Sequence, residues 1–355
     1  MIEESASLER SSESEEPNQP RSRLKPVWKT GRKRGRSRLR KTASRYFGYC
    51  CFRVAHAVVS RLPWSAGRAL SRILGAGAYC ILRREREIAL QSLSRVYGAE
   101  KSPVQIRRMT RGVFLHAASV IVDWVILRRW SRARLEARFP EVAASVRQVA
   151  SDWRQHEGAG VVALGGHLGN WELLAMFFSH FAPGLIVPVA KRLYFEKYNA
   201  FLHKLRGDLG LEIIYSDESA RKMIRALKSG KVLSLLCDQD LRTNSGVFVN
   251  FFGLPAYTAT FPVDIARKTG ALIATCVLVK SGRGFRISHR FPYEIPRTAD
   301  EAADVLAATQ TWTSILEEEI RKCPEQWSWI HPRWRSTPEQ PRLHVAAKQK
   351  KRQED

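Results

Sequence analysis

VVALGGHLGNWELLAMFF, residues 161–178, decides how the chain folds. Four apolar residues, two of them β-branched, run into Gly165 and Gly166. His167 follows, then Asn170 and Glu172, and from Trp171 the apolar residues recur at helical spacing. A buried strand that breaks at glycines and continues as a helix is one β–α step of an open α/β sheet, and such sheets bind ligands at the carboxyl ends of their strands. The two glycines allow a sharp turn and leave room beside it. His167 then stands at the mouth, and Glu172, in the first helical turns, comes within reach of one imidazole nitrogen. Such a bond fixes the tautomer and leaves the other nitrogen free as a base. The amides near Gly169 and Asn170 fall at the helix N-terminus, where anions are stabilised. The alternative is structural: a histidine capping a helix beside a surface glutamate.

Outward from this stretch the same alternation continues. Residues 185–189, 212–215, 232–237 and 271–279 read as buried strands, separated by helical segments near 171–180, 195–209, 217–228 and 259–268. FRISHRF, residues 285–291, reads as an edge strand and 299–322 as a closing helix. Residues 84–150 carry helical spacing throughout. The expected fold is α/β: a central, mostly parallel sheet flanked by helices, with a helical N-terminal region that associates with a membrane. The expected divisions are a disordered basic tail (1–44), a helical membrane-associating region (45–150), a catalytic α/β region (151–335) and a disordered tail (336–355).

The chain's 355 residues carry a net charge of +25. Residues 21–45 hold twelve Lys or Arg and no acid, while residues 1–20 are acidic, so the remainder is strongly basic too. Attraction to a polyanion follows, whether nucleic acid, anionic membrane or phosphorylated substrate. Phe47, Cys50, Cys51, Val54, Val58 and Leu62 make one apolar stripe flanked by arginines. It reads either as a helix packed on a core or as a helix lying in a lipid interface. No stretch of about 18 apolar residues marks a membrane span, and the polar, acidic first residues do not read as a secretory leader. The six cysteines lack CxxC spacing and lie mostly in apolar context, which predicts buried free thiols in a reducing compartment.

The chemistry narrows by residue type. HxxxxE is not a zinc motif, and no second His or Cys stands near it, so no metal is expected. No G-x-S-x-G elbow supplies a serine nucleophile. A His–Glu pair with neither metal nor nucleophile most simply deprotonates a hydroxyl for direct group transfer. Asp238-Gln239-Asp240 follows a strand end and either positions a substrate, organises basic residues or forms a polar turn. FVNFFGLPA, with Phe248, Phe251, Phe252 and Gly253, lines an acyl groove or belongs to the core. PEQWSWIHPRW, with Trp327, Trp329 and Trp334, suits a membrane interface or a packed C-terminus.

GGHLGNWELL, LLCDQDLRTNSGVFVNFFGLPAYTAT and PEQWSWIHPRW occur in this order. Together they resemble the lipid A biosynthesis lauroyl/myristoyl acyltransferases of the lysophospholipid and glycerophosphate acyltransferase superfamily, over about residues 48–335. The resemblance implies transfer of a fatty acyl chain from acyl carrier protein or coenzyme A to a hydroxyl of a lipid A precursor or related glycolipid, at the cytoplasmic face of the bacterial inner membrane. The thioester is the donor substrate, and no resident cofactor is expected. The catalytic pair maps to His167 and Glu172. Substrate contacts are expected from Asn170, Lys191, Arg192, Arg206, Asp238, Gln239, Asp240, Phe252 and Gly253. The family's basic position after the next strand falls at Lys191–Arg192, where the chain departs from the usual residues, and Arg206 is another candidate to grip a phosphate. Other acceptors, such as a phosphatidylinositol mannoside or a lysophospholipid, share these blocks. From other classes, a basic nucleic-acid-binding protein lacks a reader fold, with aromatics in apolar rather than basic surroundings. An inactive membrane scaffold would have no need of both His167 and Glu172.

Overall fold

The computed structural model describes residues 31–155, 160–241 and 245–338, with side chains from residue 45 onward. The chain divides into two compact units at Cys51/Phe52. In the first, residues 31–51 are helical and Phe47 is exposed. These residues belong to helix α1 (Gly31–Val59), so the basic run expected to be disordered is helical from Gly31. Lys and Arg are good helix formers, and charge alone does not unwind a helix continued by an apolar stripe.

The second unit begins with a helical layer: α2 (Trp64–Ile81), α3 (Arg83–Tyr97), α4 (Pro103–Leu127), α5 (Arg132–Arg138) and α6 (Pro140–Arg154). Helix α4 starts on a capping box, in which Ser102 and Gln105 each bond the other's backbone N–H. Gly67, Ser71 and Gly75 form the buried face of α2. A Cβ at Gly75 would meet the backbone of Leu115 at 2.6 Å, so small residues let α2 lie close against α4. Helix α4 is long and apolar enough to cross a bilayer, but 61% of its apolar window is buried in the protein, as in a core helix.

The sheet has six strands in the order β3-β2-β4-β1-β7-β8. Strands β1 (Val161–Gly165), β2 (Ile186–Ala190), β3 (Ile214–Tyr215), β4 (Val232–Leu236) and β7 (Leu272–Ser281) are parallel to their neighbours, and β8 (Gly284–Tyr293) closes one edge antiparallel to β7. Helices α7 (Trp171–Phe181), α8 (Glu196–Gly207), α9 (Ala220–Lys228), α10 (Phe261–Thr269) and α11 (Glu301–Lys322) fall where the helical spacing places them.

Strands β5 (Gly246–Phe251) and β6 (Leu254–Ala259) form a separate antiparallel hairpin that the sequence pattern does not mark. Its two-residue turn has φ +58° at Phe252 and +74° at Gly253, the pattern of a tight hairpin that normally avoids a bulky first residue. The Phe252 ring is held among Tyr97, Phe251, Trp329 and Trp334, and its N–H donates to Glu317. Phe251, Phe252 and the three tryptophans therefore build one buried aromatic cluster, while Phe248 packs on Tyr257. Trp327, Trp329 and Trp334 are all buried, not displayed to an interface. Cys50, Cys51 and Cys80, expected inside, are exposed, and Cys276 is buried.

Candidate active site

Strands β1 and β4 lie side by side in parallel, with Gly165 paired to Leu236. His167 stands two residues past the first and Asp238 two residues past the second. Equal offsets from paired strand ends bring the two side chains together: His167 Nδ1 lies 2.7 Å from Asp238 Oδ1. The same carboxylate accepts the His167 backbone N–H on Oδ2 at 2.7 Å. Asp238 is 3% exposed and accepts a third bond, from Trp327 Nε1 at 2.7 Å. A carboxylate accepts only, so Nδ1 carries the proton and Nε2 is left with its lone pair. Burial works to lower the His167 pKa. The Asp238 charge and hydrogen bonds, with a smaller contribution from Glu172, outweigh it and hold the imidazole above its ordinary value. Burial likewise works to raise the Asp238 pKa, and His167 and Trp327 bring it below the usual carboxylate range.

The orienting acid is thus Asp238, and the bond expected from Glu172 to the imidazole is not made. Helix α7 starts at Trp171 with Asn170 as its cap, and its first turn carries Glu172 towards α8. There Glu172 pairs with Arg206, Oε1 to Nη2 at 2.5 Å and Oε2 to Nε at 3.3 Å. Both side chains are about four-fifths buried.

The GGHLGN loop is clamped from three sides. Gly169 N–H donates to Gln326 O, and Asn170 N–H to Leu278 O. These amides are spent on the fold, so the anion site expected of them is not formed. His116 Nε2 bonds Gly169 O at 3.0 Å, and burial brings the pKa of that imidazole down to about 4. Gly169 has φ +64°, and a Cβ there would lie 2.0 Å from Leu278 O. At Gly166 a Cβ would come 2.9 Å from Asp238 Oδ2, so this glycine leaves space for the carboxylate. Gly165 has only ordinary contacts and is not the tight position.

From His167 an apolar slot of about 350 Å³ runs between the sheet and α7. Its sheet wall carries the small side chains Ala163, Gly165, Pro188 and Ser234 beside the larger Ile186, Leu236 and Cys276. Alternation along β1 and β4 sends Val162, Leu164, Leu233 and Leu235 to the opposite face, into the main core. Leu174, Ala175 and Phe178 of α7 form the other wall. Trp153, stacked on Phe178 with centroids 5.3 Å apart, also lines the slot. Trp171 packs edge-on against the His167 ring at 4.9 Å.

The remaining expected contacts divide. Lys191, Arg206 and Gln239 line the slot with His167 and Glu172. Arg192 does not; it pairs with Asp217 and Glu218 over the ring of Tyr215. Asn170 is buried, accepting from Leu173 N–H and donating to Val120 O, which is a capping role. Asp238 serves the imidazole, not a substrate. Asp240 accepts from Ser336 N–H and Oγ–H and latches the C-terminal segment, so residue 336, assigned to a tail, belongs to the fold. Phe252 and Gly253 form the hairpin turn. DQD divides among three tasks past the end of β4: Gln239 lines the slot, Asp238 is buried against the imidazole and Asp240 against the C-terminal segment. Among the described residues, no three His, Cys, Asp or Glu side chains converge as metal ligands do.

A buried acid, a histidine and an apolar slot at the strand ends of a parallel sheet together can accept a proton beside a long apolar group. Residues 35–336 match the model of the bacterial lipid A biosynthesis acyltransferase family, and the chain belongs to that family. It is 27% identical over 291 residues to the lipid A biosynthesis lauroyltransferase of Escherichia coli K12, covering 79% of this chain and 89% of that one. To the palmitoleoyltransferase of the same strain it is 24% identical over 284 residues, 78% of this chain and 88% of the relative. It is also 30% identical over 184 residues to the phosphatidylinositol mannoside acyltransferase of Mycobacterium tuberculosis H37Rv, 50% of this chain. That match spans about half of the relative's length, 55%.

Proposed function

We propose that the protein is an acyltransferase that moves a fatty acyl chain from a thioester to a hydroxyl of a glycolipid, with His167 as general base. The observation that carries this is the free Nε2 of His167 at an apolar slot, with Nδ1 held by buried Asp238. The acceptor O–H gives its proton to Nε2 while its oxygen attacks the thioester carbonyl. The C–S bond breaks, and the departing thiolate takes the proton from the imidazolium. Asp238 offsets the charge that the ring gains in between. The acyl chain lies in the slot, and Lys191 and Arg206 face the polar part of donor or acceptor. The donor is acyl carrier protein or coenzyme A thioester, and no resident cofactor is required. The relatives are named for lipid A biosynthesis and for phosphatidylinositol mannoside, so the acceptor class proposed is an anionic glycolipid.

The proposed location is the cytoplasmic face of the bacterial inner membrane. Val54 and Val58 of α1 and Ile73, Leu74 and Ile81 of α2 are exposed apolar side chains, which supports interfacial contact. Glutamate at Ile73 and Ile81 should then reduce co-sedimentation with anionic vesicles; unchanged binding rejects this face.

The test of the activity is transfer from radiolabelled acyl thioesters to lipid A precursors and to mannosylated phosphatidylinositol by purified protein. His167→Ala should lower the rate by about 10²–10⁴-fold in a folded protein. Transfer by this variant at the wild-type rate would overturn the mechanism.

A further inference from the structure

The buried polar group that completes the site comes from the far end of the chain. Trp327 follows the 3-10 turn Pro324–Gln326 and is 2% exposed. It forms a bridge with Leu168, and Ser328 N–H donates to His167 O at 3.0 Å. Its indole N–H points into the site and bonds Asp238 Oδ2 at 2.7 Å. The ring is locked on its other sides by Trp329 at 4.6 Å, Phe251 at 5.6 Å and Trp334 at 6.4 Å between centroids. An indole offers one donor in one direction, and this packing fixes that direction.

From these contacts we infer that Trp327 is a positioning residue of the reaction: its indole N–H holds Asp238 Oδ2 so that Oδ1 is presented to Nδ1 of His167. The inference rests on the proposed function. The carboxylate has two oxygens and three donors. Oδ2 takes the Trp327 and His167 backbone N–H groups, leaving Oδ1 for the imidazole. Without the indole donor, Oδ2 keeps one bond, and the carboxylate is free to rock about it. It also loses a charge-assisted hydrogen bond to a buried carboxylate, and such bonds are the stronger kind. The less-satisfied carboxylate attracts a proton on the imidazole more strongly, so the base is protonated up to a higher pH.

The experiment compares wild type, Trp327→Phe and a protein with benzothienylalanine at position 327, which keeps the indole shape but replaces N–H by sulfur. The isostere keeps the question open if the cavity left by phenylalanine prevents folding. Steady-state transfer is measured over a pH series. The expected result is a kcat about tenfold lower, the loss of one hydrogen bond to a charged group, with KM unchanged and the acid limb of kcat/KM moved to higher pH. In an Asp238→Asn background, the position-327 change should move the limb no further. A folded isostere variant with wild-type kcat and limb overturns the inference. So does a fall in kcat with an unmoved limb, which would mean a purely structural tryptophan. His167→Ala, run alongside, separates the two levels. If that variant keeps transfer, the proposed role of His167 as general base fails, whereas an inactive His167→Ala beside an unaffected isostere rejects only the role of Trp327.

Discussion

His167 Nδ1 and Asp238 Oδ1 lie 2.7 Å apart although 71 residues separate them in the chain. The register of β1 on β4, Gly165 against Leu236, makes that contact, because each residue stands two positions beyond its strand end. Replacing Asp238 with Asn keeps the volume and removes the charge. Asp238 raises the His167 pKa against a burial effect that lowers it. Its loss should therefore move the acid limb of kcat/KM to lower pH, while the plateau drops by about 10²-fold or more as tautomer control is lost. A pH–rate profile on the folded variant checks both signs.

Glu172 offers the contrasting case. It is bonded to Arg206 and adds only a minor charge effect on the imidazole. Glu172→Gln should shift the acid limb less than Asp238→Asn does. Glu172→Gln or Arg206→Met alone should also destabilise the protein more than the two together, because a single change strands a largely buried charge. Thermal unfolding of the double-mutant cycle measures this coupling.

The slot predicts selectivity by length. Ser234→Leu adds bulk at a small side chain of the sheet wall and should shift preference to shorter acyl donors. Trp153→Ala opens space beside Phe178 and should shift it to longer ones. Competition between donors of graded length, scored by product mass, reads both directions. Identical profiles in both folded variants would place the acyl chain elsewhere.

Two glycines should behave in opposite ways. Gly169→Ala forces a Cβ to within 2.0 Å of Leu278 O at φ +64° and should cost about 2 kcal/mol or more. Gly77, inside α2, has open space around its Cβ position, so Gly77→Ala should stabilise by about 0.5–1 kcal/mol. Denaturant titration of both variants gives the comparison.

What the sequence by itself determined is local. Apolar runs and helical spacing placed the five parallel strands and the edge strand, because side-chain periodicity follows from backbone geometry and needs no partner. The glycine break with His167 marked the site for the same reason. The hairpin turn at Phe252 escaped, since a phenylalanine at positive φ is not a turn signal; the aromatic cluster holds it there. Only the tertiary structure decided which acid serves His167. Spacing favoured Glu172, five residues on, but the first turn of α7 carries that side chain to Arg206. Asp238 was visible as a strand-end residue, yet its role depends on β4 pairing with β1, and strand adjacency is a long-range choice of the packed sheet. Trp327 enters by the same route, through a C-terminal segment that returns to the site only when the core has closed around it.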